Sequence, residues 1–282
     1  MTAGSLLSWK TAALPLALLC GGCLSASTKP WPTAERLDLP SSPTVVDASL
    51  ADTNHEGPHD APAKKRAPSP GRRRIVDDTI EGRPIPYHVV GSGSETVMLL
   101  ATIHGNEAAG TPVLERLLSQ VAAEPTLLRG RRLVVVPVVN PDGLAANRRR
   151  NARGVDLNRN FPSDNRQDGG DRGSALSEPE TQALHQLITE FEPMVVVSVH
   201  GWLGLIDWDG PAESLAAEMG ALCQLPAQRL GSRPGSLGSF VGVDRQVPII
   251  TFELPSSARR ASDDELWERY GPALLATLSW SP

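Results

Sequence analysis

His104-Gly105-Asn106-Glu107 sets an imidazole and a carboxylate three residues apart at the end of an apolar run, Val97-Met98-Leu99-Leu100-Ala101-Thr102-Ile103. Neutral imidazole nitrogen and carboxylate oxygen are good zinc ligands, and a catalytic zinc keeps three protein ligands plus an open position for water. The third ligand therefore lies elsewhere in the chain. His200 closes a second apolar run, residues 194–199, and is followed by Gly201. Metal-type residues at the ends of two strands are the arrangement expected at the carboxyl edge of an α/β sheet.

Hydrolysis at such a site also needs a base and a group that stabilises negative charge. Glu253 is the candidate base, a charge embedded in Ile249-Ile250-Thr251-Phe252-Glu253-Leu254-Pro255, where burying an unpaired carboxylate is costly. The competing reading of Glu253 is an ion pair with an arginine. Guanidinium and amide donors are concentrated after Asn140-Pro141-Asp142-Gly143, in Arg148-Arg149-Arg150-Asn151 and Gly154-Val155-Asp156-Leu157-Asn158-Arg159-Asn160-Phe161. Fork-shaped donors beside a zinc site can clamp a carboxylate or an oxyanion, whereas Arg148 and Arg153 read more simply as part of a solvated basic loop.

Elements able to position these groups alternate from about Ile75 onward. Strands are expected at 87–90, 97–103, 133–139, 194–199 and 247–254, and their continuous apolar character suits a sheet covered on both faces. Helices are expected at 108–123, 177–191, 211–223 and 262–278, the last opened by Ser262-Asp263-Asp264-Glu265, an N-cap signal. The fold class is therefore α/β, one domain over 75–282 with a mixed, largely parallel twisted sheet and helices on both faces.

The first part of the chain reads differently. Residues 1–23 carry Lys10, the apolar stretch 12–19 and Cys20-Gly21-Gly22-Cys23, a secretion signal too short for a transmembrane helix. Two processing routes fit: a lipoprotein in which Cys23 is acylated, giving a periplasmic, outer-membrane or cell-surface protein, or ordinary cleavage after Ser25-Ala26-Ser27. Residues 24–74, rich in Pro, Ala and charge and ending in Arg72-Arg73-Arg74, read as a disordered tether. Cys223 is the single cysteine outside the signal, a packing residue with no disulfide partner. A net charge of −5 and no extended basic face exclude nucleic acid as the partner. A membrane is met only through the Cys23 anchor, and a monomer or small homo-oligomer is expected.

Taken together and in order, His104-Gly105-Asn106-Glu107, Asn140-Pro141-Asp142-Gly143, residues 154–161, Ser198-Val199-His200 and Thr251-Phe252-Glu253-Leu254 resemble the zinc carboxypeptidases related to carboxypeptidase A, over residues 85–282. Ser177-Glu178-Pro179-Glu180-Thr181, Ile206-Asp207-Trp208-Asp209, residues 235–240 and Glu253-Leu254-Pro255 look most like the compact bacterial murein peptide amidases within that family. The resemblance implies one zinc ion on His104, Glu107 and His200, with Glu253 activating water and Arg149 polarising the scissile carbonyl. Asn158 and Arg159 would bind the carboxylate of the released residue, and Asp156 would orient His104. Asp207 or Asp209 would meet the amino group of diaminopimelate, or else form turns. The implied substrate is a cell-wall peptide cut between γ-D-glutamate and meso-diaminopimelate.

One departure is visible: digestive members carry a mobile tyrosine ahead of the catalytic glutamate, and the matching interval here has none, the domain's tyrosines being Tyr87 and Tyr270. Two other readings remain. N-acyl amino-acid deacylases related to succinylglutamate desuccinylase share the His-Gly-Asn-Glu and Asp-Leu-Asn-Arg patterns. A zinc-dependent wall-binding protein without catalysis would keep the ligands but not the chemistry.

Overall fold

The computed structural model describes residues 72–282. The expected signal segment with Cys23 and the expected tether up to residue 71 lie outside the described residues. Within them, no helix is long and apolar enough to cross a membrane.

Apolar runs became strands where expected: β2 (Pro84–Val90), β3 (Thr96–Ala101), β4 (Arg132–Val136), β5 (Val195–Asp209) and β6 (Ile249–Pro255). With a further strand, β1 (Arg72–Asp78), they form a six-stranded sheet in the order β1-β2-β4-β3-β5-β6. The pairs β3/β4, β3/β5 and β5/β6 are parallel, while β1/β2 and β2/β4 are antiparallel. Strand β3 shows why both faces are apolar. Val97, Leu99 and Ala101 enter one core with residues of α1 (Gly110–Ala123), α4 (Glu213–Cys223) and α5 (Asp263–Ser279), while Met98 and Leu100 enter the other with α3 (Pro179–Phe191). Cys223 is buried in the first core with a free thiol, as a packing residue. Ser262 and Glu265 close a reciprocal capping box at the start of α5.

Three features differ from the expectation. Arg72-Arg73-Arg74 are not the end of a tether but the opening of strand β1 (Arg72–Asp78), which pairs antiparallel with β2. The Asn140-Pro141-Asp142-Gly143 turn continues into a short helix, α2 (Pro141–Ala145), because the Asn140 side chain caps it by accepting from the Gly143 amide at 2.8 Å. And β5 does not stop at His200. Its first half runs parallel to β6, from Val196 opposite Ile249 to Gly201 opposite Leu254. After Gly204 it returns antiparallel, with Asp207 opposite Thr251 and Asp209 opposite Ile249. Gly204, at φ +69°, supplies the left-handed conformation at this reversal. The two halves of β5 thus embrace β6.

Behind the sheet's carboxyl edge lies a buried polar knot. Asn151 donates from Nδ2 to Glu178 (2.7 Å) and Glu180 (3.2 Å), and its Oδ1 accepts from the Val155 amide at 3.0 Å. Glu180 is fully buried, and its Oε1 has no partner. Burial pushes its carboxyl up from 4.5 to about 7, against the hydrogen bonds from its own backbone amide and from Asn151 and with help from the charges of Glu178 and Asp142. The folded state therefore holds a proton that the unfolded chain releases between these two values, so stability falls as pH rises from 4.5 through 7. Glu180→Gln is expected to remove that loss: thermal melts should give a higher Tm than wild type near ~pH 8 and an equal one near ~pH 4.

Candidate metal centre and active site

Three loops meet at the carboxyl ends of β3, β4 and β5, and backbone contacts fix their spacing. The turn holding His104 and Glu107 is closed by the Glu107 amide donating to the His104 carbonyl at 2.9 Å. Gly105 lies so close to α2 that a Cβ would fall 2.0 Å from the Gly143 carbonyl carbon. Asn140 Nδ2 donates to the carbonyl of Ile103 at 3.3 Å. The ligand loop is thereby clamped to the segment that carries Arg149.

His104, Glu107 and His200 are all buried, with ligand-type atoms within 4.8 Å of one another. Nδ1 of His104 and Nδ1 of His200 are 3.2 Å apart, and each is near Glu107 Oε2, at 3.0 and 3.1 Å. Hydrogen bonds alone do not suit this triangle, since protons on both ring nitrogens would face each other. The opposite ring nitrogens explain it: His104 Nε2 bonds Asp156 Oδ1 at 3.1 Å, and His200 Nε2 bonds Ser198 Oγ at 2.9 Å. With those nitrogens protonated, both Nδ1 atoms present lone pairs to one point together with a carboxylate oxygen. Two imidazoles and a carboxylate suit zinc.

Glu107 would be raised by burial, but hydrogen bonds from His104 and His200 and their charge outweigh that and hold it well below the usual carboxylate range. Asp156 is likewise held low against its burial, by His104 and by the charges of Arg149 and Arg159. It also takes Nε and Nη2 of Arg149 on Oδ2 at 3.2 and 3.1 Å, while Arg149 Nη1 reaches Glu107 Oε1 at 3.2 Å. One carboxylate thus orients a histidine and an arginine. Glu253 sits opposite His200 in the β5/β6 register, and its buried Oε2 has no partner. No arginine pairs with it among the described residues, which removes the ion-pair reading. Burial pushes its carboxyl up, partly offset by His200 and reinforced by Glu107.

A cavity of about 280 Å³ gathers the remaining residues. His104, Glu107, Arg149, Asn158, Arg159, His200, Asp207, Asp209 and Glu253 all line it, whereas Asp156 stands behind. Arg148 and Arg153 do not line it. Asp207 and Asp209 are strand residues on the returning half of β5, and their carboxylates accept from the 230–232 turn. Tyr87 packs against Phe191 and Tyr270 against Phe252, so neither reaches the cavity. Ser198, two residues before His200 and so on the same face of β5, was a legible partner for that ring. Thr251, Ser232 and Arg233 also line the cavity; Thr251 shares the period of Glu253, but the turn holding Arg233 carried no signal of its own.

A family profile described as zinc carboxypeptidase matches residues 63–212. The chain belongs to the zinc carboxypeptidase family. Murein peptide amidase A of Escherichia coli K12 is 34% identical over 243 residues, covering 78% of this chain and 95% of that protein. The Vibrio campbellii protein of the same name is 33% identical, covering 72% and 86%. The crystal structure of the murein-tripeptide amidase from Escherichia coli O157 superposes with a TM-score of 0.63 at 33% identity, over 76% of this chain and 94% of that one. Carboxypeptidase A from Helicoverpa armigera shares the fold, with a TM-score of 0.60 at 18% identity over 74% and 69%. This zinc carboxypeptidase is therefore a zinc-dependent peptidase hydrolase.

His200→Ala should abolish equimolar zinc retention on dialysis. Asp156→Ala, which leaves all three donors but frees the His104 ring, is expected to weaken zinc by roughly 10–100-fold in chelator competition. Unchanged affinity in Asp156→Ala would remove it from this role.

Proposed function

We propose that this zinc metallopeptidase hydrolyses the amide between γ-D-glutamate and meso-diaminopimelate in murein peptides. The observation that carries this reading is the pairing, within one cavity, of Asp207 and Asp209 with Asn158 and Arg159 beside the zinc ligands. Such a cavity suits a released residue with a carboxylate next to the scissile bond and an ammonium further along its side chain. The relatives that share a third of its sequence are named as amidases of murein peptides, which supports a murein peptide as the substrate.

His104, Glu107 and His200 would hold the zinc ion, which when bound would supply Lewis-acid chemistry towards the scissile carbonyl and water. The rest falls to side chains. Glu253, with an unpartnered oxygen and a carboxyl raised by burial, takes the proton from the attacking water and delivers it to the departing amine. Arg149, held by Asp156 and Glu107, keeps its guanidinium beside the ligands, where negative charge develops on the carbonyl oxygen. Asn158 is fixed at both ends, its amide donating to Asp156 Oδ1 at 3.1 Å and its Oδ1 accepting from the Leu237 amide at 2.9 Å, which leaves its Nδ2 to the substrate carboxylate with Arg159. Asp207 or Asp209 takes the ammonium.

An exported location belongs to the same reading, since murein peptides arise at the wall. It is supported by the apolar stretch 12–19 and by Cys23, as the acylated residue or as part of a cleaved signal.

The test is a mass-spectrometric digest of L-Ala-γ-D-Glu-meso-diaminopimelate by zinc-loaded protein. Wild type should release free diaminopimelate. Glu253→Gln should keep zinc and lose on the order of 10²–10⁴ in turnover, and Arg149→Ala should keep zinc and lose on the order of 10²–10³. No release by zinc-loaded wild type would overturn the reading, and full-speed variants would overturn the roles.

A further inference from the structure

Beyond the groups assigned above, the cavity contains a cation without a task. Arg233 lines it and is exposed, and among the described residues its guanidinium makes no hydrogen bond or ion pair. Its backbone is nonetheless anchored, the carbonyl accepting from the Ser236 amide at 3.0 Å and from Ser239 Oγ at 2.8 Å. A free head on a fixed stem is the arrangement of a recognition residue.

The turn bearing it is joined to the acidic wall of the cavity. The Leu230 amide donates to Asp207 Oδ1 at 2.8 Å, and Ser232 Oγ donates to Asp209 Oδ1 at 3.0 Å. Asp209 Oδ2 faces Gly238, where a Cβ would lie 2.4 Å away, so only glycine leaves that oxygen room. Charges complete the picture. Arg149 is matched by Glu107 and Asp156. Arg159 and Arg233 have no salt-bridge partner within the cavity and are close enough that Arg233, after burial, is among the charges depressing the Arg159 pKa. Two acids on one wall and two unmatched guanidiniums thus face the same space.

We propose that Arg233 binds a second carboxylate, at the far end of the released residue's side chain, so that with Asp207 and Asp209 it forms a subsite for a zwitterionic terminus and selects a diamino diacid over lysine. This rests on the reaction proposed above. A lysine side chain offers an ammonium to the acids but nothing to Arg233, whereas the side chain of diaminopimelate matches both. Because the far carboxylate takes no part in bond breaking, its recognition is uniform binding and belongs in KM.

The experiment compares kcat/KM for L-Ala-γ-D-Glu-meso-diaminopimelate and L-Ala-γ-D-Glu-L-lysine with zinc-loaded wild type, Arg233→Gln and Arg233→Lys. Wild type should prefer the diaminopimelate peptide. Arg233→Gln should cut the ratio of the two specificity constants by roughly tenfold or more, through KM rather than kcat, and Arg233→Lys should restore part of it. An equal ratio in wild type and Arg233→Gln overturns the assignment, as does a wild type that treats the peptides alike. If zinc-loaded wild type cleaves neither peptide, the proposed reaction fails on its own account. Calorimetric binding of free meso-diaminopimelate then decides Arg233 separately: roughly tenfold weaker binding to Arg233→Gln sustains the subsite, and equal binding overturns it.

Discussion

Gathering two imidazoles and one carboxylate at a single buried point is the constraint on which the structure turns. Glu107 alone in that environment would be driven neutral by desolvation. It stays charged because His104, His200, the Gly201 amide and Arg149 all reach it. Each of those groups is held by something else: Asp156 behind His104 and Arg149, Ser198 behind His200, and the loop contacts of Gly105 and Asn140 behind the turn. The polar knot at Asn151 continues the chain of support outward, since its Oδ1 holds the Val155 amide immediately before Asp156. The cost of concentrating charge is thus spread over loops following three different strands.

The embrace of β6 by β5 solves a second problem, that of bringing acceptor, ligand and substrate groups to one wall. Alternation along β6 sends Ile250, Phe252 and Leu254 into the core and leaves Thr251 and Glu253 on the cavity side. The outgoing half of β5 delivers His200 to one flank of Glu253, and the returning half places Asp207 opposite Thr251 and Asp209 opposite Ile249. A single strand with one reversal thereby sets the distance between the metal ligands and the acidic wall of the cavity.

Much of this was legible in the sequence. Continuous apolar runs marked the central strands, and Ser262 with Glu265 marked the start of α5, because burial on both faces and helix capping leave local signatures. The residues that line the cavity were readable in part: His104, Glu107, His200 and Glu253 sit in short motifs at strand ends, and Asn158 and Arg159 in a dense run of amide and guanidinium donors after β4. Strand β1 was hidden because Arg72-Arg73-Arg74 and Asp77-Asp78 carry the composition of a linker, and its pairing with β2 is a tertiary fact. The return of β5 was hidden for a related reason: Gly201, directly after His200, follows the close of the apolar run, and pairing beyond it is again a tertiary fact. Arg233 has no local pattern at all, since its relevance comes from Ser232 and Leu230 being tied to acids 23 residues away in the chain.

The charged composition that concealed β1 has a consequence for how the folded protein behaves among its own copies. Among the described residues β1 ends the sheet, and an edge of that kind invites a strand from a neighbouring molecule. Here the edge strand carries Arg73, Arg74, Asp77 and Asp78, all exposed, with a register irregularity between Ile75 and Asp77 that breaks its flatness. A second molecule docking antiparallel against it would bury several charges at once. Among the described residues this border of the sheet therefore carries its own deterrent to polymerisation at high local concentration, in the charges of the strand itself.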